Sequence, residues 1–239
     1  AAVLYLALRR RGLRVAPKRP GREALLVLRV GAPAAVERGL FSLGHGLYLA
    51  SLGRCGEPQL TAHTLGVRVE SLAFLPAFAL ATYASSVVGN EVGAGRVAEA
   101  KVRGWEAAKA SAAFMTLAGL ALAAAAPLAA EALAPSRHVA RLVVVYLLLA
   151  AATEPALGLV MSLAGALRGA GETRLPTLVN LAVLYGVRVA PSWLLAPRLG
   201  GDCCAVAAWL LMDLDVVVRA AVFTFIYRRM FERLARRVV

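Results

Sequence analysis

Six apolar stretches, each long enough to cross a bilayer, alternate with short charged segments along the chain. They fall at about 30–52, 62–88, 105–129, 139–167, 175–196 and 203–226. A helix needs about 20 residues to traverse hydrocarbon. Backbone N–H and C=O groups inside lipid must be paired within the segment, so these stretches read as helices. Between them lie a turn-rich loop at 53–60 and a polar loop at 89–103, the latter with a short amphipathic helix expected at 97–103. Further connections fall at 135–138, 168–174 and 198–202. An apolar stub at 1–8, too short to span, reads as the end of a helix whose beginning is missing. A basic linker at 9–29 follows it, and a basic tail occupies 228–239. The pattern predicts an all-α polytopic membrane protein with a six-helix lobe over 30–227.

Composition agrees with this pattern. Of 239 residues, 60% are hydrophobic and only 17% are charged, with a mean hydropathy of +0.69. A net charge of +13 suggests nucleic acid at first sight. The basic residues, however, cluster in short loops between apolar spans, which is how membrane topology is encoded and not how a groove-reading face is built. One set of loops holds 19 of the 27 Lys and Arg residues: those of 9–29, 96–109, 168–174 and the tail. The opposite set holds Arg54, Arg137, Arg141 and Arg198, and Arg38, Arg68, Arg188 and Arg219 lie inside spans. This asymmetry places both ends in the cytoplasm of a multi-pass cell-membrane protein. Cys55, Cys203 and Cys204 show no metal-ligand spacing and read as small apolar residues. Ala35, Gly39, Ser42 and Gly46 recur at helical spacing, and Gly165 and Gly169 form a G-x-x-x-G, the kind of small-residue surface through which helices approach in lipid.

Two loop motifs go beyond topology. The second span ends in G-N-E-V-G-A-G-R, with Gly89, Gly93 and Gly95. The fourth ends in L-R-G-A-G-E-T-R-L-P, with Arg168, Gly169, Gly171 and Glu172. A dinucleotide-binding reading of the first fails, because a membrane helix and not a strand precedes it. The plain reading is a pair of Gly-rich helix C-caps and tight turns. Together with G-A-P-A-A-V-E-R-G-L-F-S-L-G at 31–44 and T-A-H-T-L-G-V-R-V-E-S-L-A-F-L-P at 61–76, the motifs resemble the multidrug and toxic-compound extrusion (MATE) family. The resemblance is to the C-terminal half, helices seven to twelve. It implies two six-helix lobes facing each other in a V, of which the N-terminal one is missing here. It further implies export of amphipathic, often cationic small molecules in exchange for protons or sodium ions, with no other cofactor.

Coupled antiport needs a site where a cation and a substrate compete, and a carboxylate inside the bundle supplies one. Glu154 lies near the middle of the fourth span, before Pro155, with Gly158, Met161 and Gly165 on its face. The alternative is a structural acid paired with Arg188. The sodium-coupled branch of the family carries an acid on this helix about one turn nearer the glycine-rich loop, so the correspondence is shifted. The same branch has a Glu roughly one turn after Glu37, where this chain has Phe41, and Glu37 also reads as an interfacial charge. In the proton-coupled branches the best-known acids lie on the other half. His63 and Glu70 are seven apart and share a face, which suits a proton relay; the plainer reading puts His63 at the water interface and Glu70 beside an Arg. Trp209 precedes Asp213 by one turn, a combination that suits an organic cation. Asp215 and Arg219 are spaced as an intrahelical pair. Met161, with Met115 and Met212, is a further cavity candidate.

Other classes fit less well. A major-facilitator half would carry an Asp-Arg motif after its second helix, which 89–96 lacks. A lipid-linked or polysaccharide-precursor flippase would want an Arg-rich cavity. An enzyme would need a nucleophile–base set, metal cluster or phosphate loop, and the sequence offers none. A non-transporting membrane scaffold remains as the last alternative.

Overall fold

The computed structural model describes residues 22–235, with side chains described for 35–195 and 198–235. The stub at 1–8, most of the basic linker and the end of the tail lie outside these residues. All described secondary structure is helical. Helix α1 runs Arg22–Gly53, α2 Glu57–Gly93, α3 Val97–Leu133 and α4 Arg137–Gly169. α5, Arg174–Val183, continues through a π-helical turn, Leu184–Val189, into α6, Ala190–Leu194. α7, Ala196–Leu199, leads to α8, Gly201–Ala235. Among the described residues, four helical segments are long and apolar enough to cross a membrane: α2, α3, α4 and the composite Arg174–Leu194. α1 and α8, at 32 and 35 residues, reach the needed length, but α8 carries Asp213, Asp215 and Arg219 in its middle. The fifth expected span is present as the composite Arg174–Leu194 with a π-helical turn inside it, and the amphipathic helix expected at 97–103 is the start of α3 and not a separate element.

The chain divides into two units, Ala1–Leu40 and Phe41–Val239. In the second, α4 packs closely against α2, α3 and α8. Small residues make this possible. A Cβ at Gly165 or Gly169 would clash with the carbonyl oxygens of Ala81 or Ser85 on α2, so the backbones touch where the sequence has no side chain. The motif glycines meet each other too, since a Cβ at Gly89 would lie 3.3 Å from the Gly169 oxygen. Close approach of this kind replaces the hydrophobic drive that lipid removes. Leu72, Leu75, Leu117, Leu120 and Leu128 accordingly stand exposed on α2 and α3. Gly169→Leu is therefore expected to destabilise by about 1–3 kcal/mol through overpacking, read as a lowered thermal midpoint in detergent; an unchanged midpoint would show that α2 and α4 do not meet at this glycine.

Both motif loops end their helices in the same way. Gly95 (φ 76°) and Gly171 (φ 86°) adopt the left-handed conformation that favours glycine. Gly95 N donates to Val92 O and Arg96 N to Glu91 O; Gly171 N donates to Arg168 O and Glu172 N to Leu167 O. This is the Schellman pattern, and it pairs carbonyls that a helix end leaves without donors. The Glu172 carboxylate then accepts from Leu175 N at 2.9 Å at the start of α5. The motif residues serve as caps and contacts.

The cysteine expectation is corrected. Cys55 and Cys204 form a disulfide, which ties the loop after α1 to the first turn of α8, while Cys203 is free and exposed. Beside it, Gln59 Nε2 donates to Asp202 at 2.7 Å and His138 Nε2 lies 2.9 Å from the same carboxylate. The His138 contact, then that of Gln59, holds the Asp202 carboxyl below the usual range.

The apolar core forms two clusters. One holds Tyr48, Leu52, Val143, Leu147, Trp209 and neighbours near the disulfide end. The other holds Val88, Ala108, Leu163, Phe223, Phe231 and neighbours near the motif loops. On α2, α4 and α8 the residues between the clusters include Glu70, Glu154, Asp213, Asp215 and Arg219, all buried. The lobe therefore carries a polar layer between two apolar ones, near the midpoint of α4.

Candidate functional site

A cavity of about 530 Å³ opens in this layer. It draws on α1 (Phe41, His45, Tyr48), α2 (His63, Arg68, Glu70, Phe74, Phe78), α4 (Tyr146, Thr153, Glu154, Met161), the π-helical turn (Arg188) and α8 (Met212, Asp213, Arg219). Ligand sites of drug-sized molecules fall in this volume range and share this mix of aromatic walls with a few polar groups.

Glu154 is 1% exposed, and among the described residues neither of its carboxylate oxygens has a hydrogen-bond partner. Its backbone setting explains how it is held. Pro155 has no N–H for the carbonyl of Ala151, and α3 approaches at that point through Gly119, whose Cβ would lie 2.7 Å from that oxygen and 3.2 Å from Glu154 Cβ. The alternative that pairs Glu154 with Arg188 is corrected, because Arg188 pairs with Asp215 instead, at 2.5 Å. Arg219 pairs with the same Asp215 oxygen at 2.5 Å, as its i, i+4 spacing predicts. Two guanidinium groups thus share one fully buried carboxylate. Arg188 further stacks over the Tyr48 ring at 5.5 Å.

Glu70 accepts a 2.5 Å hydrogen bond from Tyr146, so an Arg partner is not what holds it. His63 is buried, edge-on to the Tyr48 and Tyr146 rings at 5.7 and 5.2 Å, and so is not at a water interface. The shared face of His63 and Glu70 does line the cavity. Asp213 accepts from Thr153 at 3.2 Å. Trp209 is corrected as a cavity residue: it is fully buried one layer behind, edge-on to Tyr146 at 5.4 Å. Met161 and Met212 line the cavity, whereas Met115 is core. Glu37 belongs to the other unit, where it is exposed. Sequence reasoning missed Tyr146, Thr153 and Tyr48. A polar side chain in the middle of an apolar span was the available signal for each.

The MatE family model matches residues 33–194, more than half of the chain. The chain belongs to the MATE family. Among curated relatives of this MATE chain, the probable multidrug resistance protein NorM of Brucella suis biovar 1 (strain 1330) is 27% identical over 218 residues, 84% of this chain and 43% of that protein. NorM of Burkholderia pseudomallei (strain K96243), described in the same words, is 33% identical over 168 residues, 66% of this chain and 35% of that protein. An inward-facing multidrug resistance MATE family transporter of the MOP superfamily shares the fold with a TM-score of 0.82 and 17% identity, over 98% of this chain and 55% of that one. MATE transporter ClbM, solved in complex with Rb+, does so with a TM-score of 0.78 and 19% identity, over 89% and 49%. The chain spans less than half the length of the curated relatives it matches and about half of these solved transporters. It is a MATE-family chain, and its helices fit a multi-pass membrane protein.

Proposed function

We propose that this MATE chain forms the C-terminal lobe of a cation-coupled antiporter of the cell membrane that exports amphipathic cationic compounds. One observation carries the reading: Glu154, a buried carboxylate with neither oxygen partnered, lines a cavity with Glu70, Asp213 and several aromatic rings. An unpaired acid in a membrane interior is costly unless it takes up a proton, a metal cation or an organic cation. Three exclusive occupants of one group make an exchanger: loading the coupling ion from one side displaces the cargo, and releasing it to the other readmits the next. Alternating access needs a second body to rock against, which the second lobe of the V supplies. MATE transporter ClbM was solved in complex with Rb+, which supports a cation as one ligand of this chain's whole protein.

Export is tested by expressing 1–239 alone and together with an N-terminal half. Drug export that requires both halves is the expected result. Robust export by the monodisperse monomer would refute the two-lobe reading, and no export in either case would leave the scaffold alternative standing.

The flippase alternative draws on Arg68, Arg188 and Arg219, which line the cavity. A purely anionic headgroup, however, would meet Glu70, Glu154 and Asp213 there as well.

For orientation we place the disulfide end outside and both chain ends in the cytoplasm. The charge asymmetry supports this, and so does the disulfide, since such bonds persist in oxidising compartments. Intact cells treated with an impermeant maleimide should label Cys203 alone; denaturation and reduction should then expose Cys55 and Cys204. Labelling of Cys203 only from the cytoplasmic side would invert the topology.

A further inference from the structure

Helix α8 has two opposite faces. Met212, Asp213 and Arg219 turn to the cavity, while Leu210, Leu214, Val217, Ala221 and Phe225 stand exposed along the other side. These five recur at spacings of three and four, so they form one straight stripe about 22 Å long. That length covers most of the roughly 30 Å of a bilayer's hydrocarbon. The stripe runs on into Arg228 and Arg229, one turn past Phe225, and then into Arg233. All three are exposed, and among the described residues no carboxylate pairs with them. Glu232 beside them pairs with Lys101 of α3 at 2.8 Å. Glu106, the acid next to Trp105 in sequence, lies on another face of α3 with Tyr83.

α3 and α8 meet here to fix one of these cations. Tyr227 donates its hydroxyl to the Lys101 carbonyl at 3.1 Å and stacks on Trp105, with ring centres 6.3 Å apart. The Arg228 guanidinium lies 4.6 Å from the centre of the same Trp105 ring. Such a contact restrains a side chain that otherwise samples many rotamers. A tryptophan at the end of a span marks the boundary between hydrocarbon and headgroups. Positive charge that only orients a span needs no such platform, and here the platform stands at the end of an apolar track.

We propose that an anionic phospholipid binds here, with its phosphate on Arg228 and Arg229, Arg233 completing the charge balance, and an acyl chain along Phe225, Ala221 and Val217. Guanidinium forks match phosphate oxygens, and basic residues beside a span attract anionic headgroups. A free phosphate would leave the apolar stripe unused, so the occupant is the lipid. The site rests on the helices spanning a membrane, and neither on the export reading nor on which end is cytoplasmic.

The test is quenching of Trp105 emission by brominated lipids. The purified transporter is reconstituted in phosphatidylcholine vesicles with increasing fractions of brominated phosphatidylglycerol or brominated phosphatidylcholine. The Trp105 signal is isolated as the difference between the protein and its Trp105→Phe variant, which keeps an aromatic ring beside Arg228. Half-maximal quenching is expected at an about ten-fold lower fraction of the anionic lipid, one decade in Kd. Arg228→Gln combined with Arg229→Gln should bring the two curves together, while Arg198→Gln, at the other end of α8, should leave them apart. Glycerol 3-phosphate, the headgroup without its chains, should not relieve the quenching; relief would overturn the lipid in favour of a soluble anion. Coincident curves for the unsubstituted protein, or a gap that survives the double substitution, would overturn the proposal and leave the membrane placement intact. Quenching by neither lipid would show that Trp105 is covered by protein, and would overturn it as well.

Discussion

Glu154→Gln is expected to reduce gradient-driven export to the background of empty vesicles while the protein expresses and folds normally. The carboxamide keeps the size of the side chain, so the close approach of Gly119 to Glu154 Cβ is undisturbed. It removes a carboxylate whose two oxygens have no partner at 1% exposure, and burying an unpartnered charge costs more than burying a neutral amide. Thermal stability should therefore hold or rise as function is lost. This separates a functional acid from a structural one, because a structural acid would lose stability with its charge. Export measured in proteoliposomes under an imposed proton or sodium gradient decides the matter. Undiminished export would remove Glu154 from the mechanism and shift suspicion to the other lobe.

The largest loss of stability is expected from Asp215→Asn. Asp215 is fully buried and balances Arg188 and Arg219, which are 6% and 9% exposed. Neutralising it leaves two guanidinium groups facing each other without a counter-ion. Breaking a buried pair in this way costs about 3–5 kcal/mol, and here two pairs break at once. The thermal midpoint in detergent should fall steeply. Adding Arg219→Met should recover part of the loss, giving a coupling term that a double-mutant cycle resolves. A mild effect of Asp215→Asn alone would mean that the triad is solvated.

Much of this fold was legible in the sequence. Runs of apolar residues between charged loops place the helices, and the two glycine-rich motifs read correctly as caps because a left-handed φ at Gly95 and Gly171 is a local requirement. The acids in mid-span were legible one helix at a time, and the shared face of His63 and Glu70 followed from their spacing. What was not legible depends on which faces meet. Whether Glu154 meets Arg188 or stands unpaired is open in the sequence, because the helix that carries Arg188 turns through a π-helical segment that no spacing rule marks. Trp209 and Asp213 share a face one turn apart, yet the cavity wall ends between them, so one lines it and the other backs it. Cys55 and Cys204 are separated by 149 residues, and nothing local signals their pairing.

Coupling ion and organic cation are expected to compete for the carboxylate of Glu154. Equilibrium binding of tetraphenylphosphonium to the purified transporter, across a series of pH values and sodium concentrations, tests it most directly. The prediction is that raising either protons or sodium weakens apparent affinity without changing the number of sites, and that Glu154→Gln removes this dependence. Affinity that stays constant across both series would contradict it.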